Sequence, residues 1–305
     1  MIKIKISPAL FLSCLFFLAP YLPCSGQCCL SGCDSSELKI LSWNIYMLPR
    51  QLVHTGQLQR AREIVESLKS DSADIVVFEE AFDRRSRDII RKGLKKYFPY
   101  ESGNPTRSSP LKGSSGIWVI SKIPLTIVKR IYFKKGAGFD RLASKGALLL
   151  KGEKNNSPFQ IIATHLQAEV KNRNTNNIRR SQLMQISTEL MKVYAQANVL
   201  QFVVGDMNTI QTDTTEYNQM LNVLNVKPCT FVGENNYSFD RRKNDIIFKS
   251  DDFPQLIDYI LYNKKDKNLL KGNMLIKIFR KKWDLQHSDL SDHFAVLGTF
   301  MLKDF

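Results

Sequence analysis

Short apolar runs, separated by polar and turn-forming stretches, recur along the chain. They predict strands over Leu38–Ile45, Asp74–Glu79, Ser115–Ser121, Leu125–Phe133, Gly146–Lys151, Phe159–Thr164, Leu200–Gly205, Ile257–Tyr262 and His293–Leu302. Between some of these runs the apolar spacing changes to that of a helix. Gln57–Lys69 carries Leu58, Ala61, Val65 and Leu68 on one face, Arg84–Tyr97 reads as a basic helix, and Asn177–Ala197 as a long one with Leu183, Ile186 and Leu190 in phase. Many of the strands are apolar on both faces, so neither face of the sheet that holds them is left to water. The expected fold is α/β, a four-layer sandwich of two packed mixed β-sheets flanked by helices. With no fixed-period repeat and no Pro/Gly/Ser-rich linker, residues 37–305 read as one domain.

The N-terminus follows a different pattern. Lys3 and Lys5 precede an apolar run from Leu10 to Leu22, interrupted by Pro20, and small residues follow at Ser25 and Gly26. This is the layout of a signal peptide over 1–26; an uncleaved anchor is the alternative. Residues 27–36 form a Cys-rich segment. Cleavage after Gly26 would leave Cys28, Cys29, Cys33 and Cys229, an even count that suits disulfides in an oxidising compartment, one of them joining the N-terminal group to Cys229. No paired cysteines in the body have the spacing of a zinc site.

Polar residues fall at the strand ends. Trp43-Asn44 ends the first strand, Glu79-Glu80 the second, and His165 follows Thr164; Asp206 and Asn208 follow Gly205, and Ser291-Asp292-His293 opens the last strand. Each alone has a plain structural explanation, as a turn former, a solvated charge or a core histidine. Collected at the ends of packed strands, they are how α/β proteins build sites. Asp258 stands in the apolar run Leu256–Tyr262 and needs a partner to offset its desolvation. His293 is the expected partner, with an arginine as the alternative. Asp206 and Asn208, two apart in an extended segment, point to one side and can hold a metal, a water or a phosphate oxygen together.

The ordered set Trp43-Asn44, Glu80, Thr164-His165-Leu166, Gly205-Asp206-Met207-Asn208, Asp258-Tyr259 and Ser291-Asp292-His293 resembles the endonuclease/exonuclease/phosphatase superfamily. Its members share a deoxyribonuclease-I-like sandwich and cleave phosphate esters with a divalent metal. Longer stretches, Leu38–Leu48, Glu80–Asp83, Thr164–Glu169 and the loop Lys135–Asp140 leading to Lys145-Gly146, are similar to the secreted bacterial neutral sphingomyelinases. The resemblance implies Glu80 as principal Mg2+ ligand, other divalent cations substituting, with Asn44 and Asp206 near the metal and phosphate. It implies His165 and Asn208 as stabilisers of the phosphoryl oxygens, and His293, oriented by Asp258, as the proton-handling group. Glu79, as the strand neighbour of Glu80, is expected to face away from the site.

The relatives' disulfide has no counterpart here, since Ala137 stands at one position and the stretch Lys171–Asn177 lacks a cysteine. The segment between Tyr262 and Asp292 looks shorter than in relatives with an aromatic membrane-inserting hairpin. Within it, Lys277–Trp283 mixes basic residues with Ile278, Phe279 and Trp283, making Phe279 and Trp283 the expected membrane contacts, or else residues of an ordinary strand. The leading functional expectation is a secreted, monomeric, Mg2+-dependent sphingomyelin phosphodiesterase acting on sphingomyelin-containing membranes. The net charge of +15, with runs such as Arg241-Arg242-Lys243, also suits a nuclease of the same superfamily binding nucleic acid. A non-enzymatic adhesin on the same scaffold is the third reading.

Overall fold

The computed structural model describes residues 37–103, 106–264 and 269–302. The expected signal peptide and Cys-rich segment lie outside the described residues. In chain order the elements are β1 (Glu37–Met47), α1 (Gln57–Leu68), β2 (Ile75–Ala81), α2 (Arg84–Leu94), β3 (Tyr100–Glu101), β4 (Trp118–Ser121), β5 (Thr126–Tyr132), β6 (Gly146–Lys154) and β7 (Ser157–His165). There follow α3 (Thr175–Ile186), α4 (Lys192–Tyr194), β8 (Leu200–Asp206), α5 (Thr214–Leu224), β9 (Val226–Pro228), β10 (Thr230–Phe231), β11 (Asp258–Asn263), β12 (Leu269–Lys277) and β13 (Ala295–Leu302).

Two mixed sheets result, as expected. One has the order β10-β12-β13-β1-β2-β4-β3, the other β5-β6-β7-β8-β11-β9. Alternation along β1 builds the layers. Leu38 and Ile40 enter one buried cluster with Phe202 and Val204 of the second sheet, while Leu41 and Trp43 enter another with Ile64, Val65 and Leu68 of α1 and Ile90 and Leu94 of α2. Beyond Ile40, the face of β1 that enters the first cluster carries Ser42 and Asn44, both buried. The chain thus changes from apolar to polar on its inner face at the strand end where chemistry was expected.

The core face of α1 includes Arg60 in place of Leu58: Arg60 is fully buried and Leu58 only half so. The long helix expected over Asn177–Ala197 starts at Thr175, capped by Asn174, and widens into a π turn over Ser187–Met191; Leu183, Ile186 and Leu190 are buried in phase as expected. Among the described residues Cys229 is a free, buried thiol donating to the Ile260 carbonyl at 3.3 Å, and burial pushes its pKa up to about 12; the cysteines expected to pair with it lie outside the described residues.

Candidate active site

Register brings the site residues abreast. β7 and β8 run parallel with His165 opposite Asp206, and β11 lies antiparallel to β8 with Asp258 opposite Asp206. In the other sheet β1 and β2 run parallel with Asn44 opposite Glu79. β13 returns antiparallel to β1, which brings the preceding residues Ser291–His293 to the same end, where Ser291 Oγ donates to the Asn44 carbonyl at 2.6 Å and Trp43 Nε1 to the His293 carbonyl at 3.1 Å.

Asp258 and His293 pair as expected. His293 Nδ1 lies 2.8 Å from Asp258 Oδ2, which also accepts from Ser238 Oγ at 2.6 Å. Burial opposes the imidazolium, but Asp258, then Asp292 and Asp206, outweigh it and hold the His293 pKa well above its usual value. Asp206 accepts from Asn44 Nδ2 at 3.1 Å and from the Asn208 backbone N–H at 2.9 Å, and its Oδ2 stands 3.9 Å from His293 Nε2. Asn208 has a left-handed backbone at φ 48° and directs its Nδ2 to the Leu166 carbonyl at 3.3 Å.

His165 has the opposite electrostatics. Burial, reinforced by the Lys145 ammonium, lowers its pKa to about 3, so the ring is neutral. Lys145 Nζ lies 3.0 Å from His165 Nε2. An ammonium can only donate, so Nε2 accepts and the ring proton is on Nδ1, an atom that is buried and has no partner. Lys145 belongs to the Lys145-Gly146 motif, where its residue type alone assigns it no role. Its other partners are the Leu166 carbonyl at 2.7 Å and Asp140 Oδ2 at 2.9 Å.

The two glutamates depart from simple alternation. Glu79 does point between the sheets, away from the helix side, but that direction is toward the site. It is fully buried, accepts from Ser42 Oγ at 3.0 Å, and is held well above the usual carboxylate range by burial and by Asp258 and Asp206. Glu80 reaches the same site because its backbone is left-handed, φ 52°, where β1 and β2 also shift register. That kink breaks the alternation on which the separation of the two side chains was based. Burial first, then Asp292, raises the Glu80 pKa to about 7, with Lys145 and His293 opposing, and its Oε2 is buried with no partner.

Arg60, absent from the sequence reading, ties this end together. Its Nη1 donates to the carbonyls of Ile45 at 2.8 Å and Leu290 at 3.0 Å, and its Nη2 to that of Tyr46 at 2.6 Å. Its only sequence signal is a charge on the apolar face of α1. Asp206, Asp258 and His293 each offer a ligand atom within 4.8 Å of the others. Asp258 is already engaged by His293 and Ser238. The unpartnered oxygen of Glu80 and the oxygens of Asp206 are the donors that fit a hard cation.

Phe279 and Trp283 have internal partners. Phe279 packs on Trp43 at 4.6 Å between ring centroids; Trp283 stacks on His287 at 4.9 Å and donates its Nε1 to the Asp289 carbonyl at 2.8 Å. Large apolar side chains are exposed elsewhere, among them Leu111, Phe139 and Leu142.

Residues 41–293 match the endonuclease/exonuclease/phosphatase family. The chain is 30% identical to a phospholipase C of Staphylococcus aureus, an alignment covering 86% of this chain and 87% of the relative. It is 28% identical to a sphingomyelinase C of Listeria ivanovii, covering 86% of each. Among solved structures, a Staphylococcus aureus beta toxin variant with bound magnesium ions superposes with a TM-score of 0.78 at 29% identity, covering 86% of this chain and 99% of that one.

Proposed function

The chain belongs to the endonuclease/exonuclease/phosphatase family, and from that premise we propose that it is a secreted, Mg2+-dependent phosphodiesterase hydrolysing sphingomyelin to ceramide and phosphocholine. The observation that carries the reading is the buried, unpartnered Oε2 of Glu80 set among Asp206, the Asp258–His293 pair and the neutral His165. Relatives named sphingomyelinase C, aligned over most of the chain, support the lipid substrate.

Glu80 would be the main ligand for magnesium, with Asp206 and Asn44 beside it, and the cation when bound would supply neutralisation of charge on the phosphoryl group. Asp258 keeps a proton on His293 Nδ1, so Nε2 is the atom that exchanges a proton with the reacting oxygens. The surrounding carboxylates stabilise the imidazolium. Water adds to phosphorus as the bond to the ceramide oxygen breaks; that oxygen takes a proton from His293 Nε2, and the proton lost by the water passes to solvent and restores the imidazolium. Asn208 donates to the phosphoryl oxygens, and His165, whose Nε2 lies 3.4 Å from Asp206 Oδ2 and accepts from Lys145, holds the Lys145 ammonium beside them.

Offered sphingomyelin, phosphatidylcholine and plasmid DNA in parallel with magnesium, the purified protein should release phosphocholine fastest from sphingomyelin. Activity should vanish in excess EDTA and return with added magnesium. Cleavage of DNA without sphingomyelin turnover would instead support the nuclease that the +15 charge suits, and full activity in EDTA would remove the metal mechanism.

Contact with the bilayer is assigned to the exposed Leu111, Phe139 and Leu142, on two segments bridged at Gly113 and Ala143 and running directly into Lys145. Lys112 and Arg141 flank them, a mixture suited to a lipid interface. Phe139→Ser with Leu142→Ser should weaken liposome binding by roughly tenfold or more, from the apolar area withdrawn, and spare a soluble short-chain substrate. Trp283→Ala should lower the melting temperature and reduce both activities together. Unchanged liposome binding in the double variant would refute this assignment.

A further inference from the structure

A cleft of about 630 Å3 opens beside the site, lined by Tyr46, Phe239 and Phe248, with Val53, Ile246 and Ile247 among the rest of its wall. Phe239 joins it to the chemistry: its ring centroid lies 5.0 Å from that of His293, and its backbone bridges to His293. Phe248 is 92% exposed. Tyr46 follows Asn44 on a left-handed turn, φ 48°, that sets its ring at the site's edge.

We propose that this aromatic cleft is a subsite for a quaternary ammonium head group, with the rings of Tyr46, Phe239 and Phe248 facing the cation. The inference rests on the phosphodiester reading above and specifies which head group the site selects. In a phosphocholine ester only one oxygen and two methylene carbons separate phosphorus from the ammonium nitrogen. The cation must therefore sit within about a side chain's length of the phosphoryl site, and this cleft is at that distance along the His293–Phe239 contact. A trimethylammonium group is bulky, weakly hydrated and has no N–H to donate, so aromatic faces rather than hydrogen-bond acceptors recognise it. The cationic side chain in the wall, Arg241, is turned to Asp252 Oδ2 and the Phe248 carbonyl, each at 3.2 Å, which offsets its repulsion.

The test compares sphingomyelin with ceramide phosphoethanolamine of the same ceramide, in the same detergent micelles, for wild type, Phe248→Ala and Phe239→Leu. Phe248 is on the surface, so its removal leaves folding intact; leucine at 239 keeps apolar bulk while deleting the ring face. Wild type should favour the choline head group in kcat/KM, and each variant should cut that preference by roughly five- to thirtyfold, the scale of a desolvated cation–π contact. A merely structural role would lower both substrates equally and leave the ratio unmoved, which would overturn the proposal. So would a loss that tracks the ceramide chain length, because the cleft would then take the lipid tail. Calorimetry with phosphocholine and phosphoethanolamine in magnesium buffer separates this from the substrate assignment. If wild type hydrolyses no sphingomyelin but still binds phosphocholine more tightly, with the difference lost in Phe248→Ala, the lipid reading fails and the subsite stands. Equal binding of the two would refute the subsite whatever the substrate.

Discussion

Glu80→Gln should abolish turnover, by roughly a thousandfold or more, without weakening the fold. The first part follows from the ligand role: removing the negative oxygen that a hard cation needs takes away several kcal/mol of transition-state charge stabilisation, and each 1.36 kcal/mol is a factor of ten. The second follows from burial. The Glu80 carboxylate is enclosed with an unpartnered oxygen and carboxylate neighbours, so a neutral amide relieves repulsion and the melting temperature in EDTA should not fall. Wild type should gain thermal stability from magnesium by ligand linkage, and the variant should lose most of that response. Glu79→Gln is the informative partner. Its carboxyl is held well above the usual range by burial and by Asp258 and Asp206, and it accepts from Ser42; glutamine keeps that acceptor without a charge and should keep most activity. A dead Glu79→Gln beside an active Glu80→Gln would reverse the assignment.

His293→Ala and Asp258→Asn should each lower kcat by on the order of a hundred- to ten-thousandfold, the range of a positioned acid–base group. They should not be additive, because the 2.8 Å bond makes them one unit. Asparagine at 258 can still fill the space and accept from Ser238, but it cannot stabilise an imidazolium, so the loss should appear in kcat more than in KM. His287→Ala provides the contrast, since His287 bonds only the exposed Asp284 and stacks on Trp283, outside the site; its activity should stay near wild type. Full activity in Asp258→Asn would dissolve the pair.

The sequence was most legible where one physical rule acted alone. An acid in an apolar run demands a partner, and Asp258 has one in His293. Strands apolar on both faces demand two covered layers, and β1 and β7 supply them. It was least legible where position depended on a local backbone exception or on distant chain. Nothing in the residue types at 79 and 80 announces a left-handed φ, so the two glutamates could not be placed by alternation. Arg60 on an apolar helix face reads as a defect until the carbonyls of Ile45, Tyr46 and Leu290 converge on it. β12 is diluted by Lys271, Gly272 and Asn273, and α5 by its polar first half, so neither was expected; both are held by tertiary packing more than by their own pattern.

The alignment of His165, Asp206 and Asp258 across β7, β8 and β11 has a consequence for how errors spread through this protein. The side chains are set by the same ladder that seats Ile161, Val203 and Ile260 in the core. A strand slipped by one residue would exchange side chains of different size between two close-packed buried layers, Ile162 for Ala163 for instance, and break the packing on both faces. The core thus proofreads the chemistry: a molecule either has the catalytic row in register or is unfolded. Substitutions deep in the sheets, Val203→Ala for instance, should therefore reduce the number of working molecules while leaving turnover per folded molecule untouched, so that inheritable damage to this enzyme divides cleanly into loss of quantity and loss of quality.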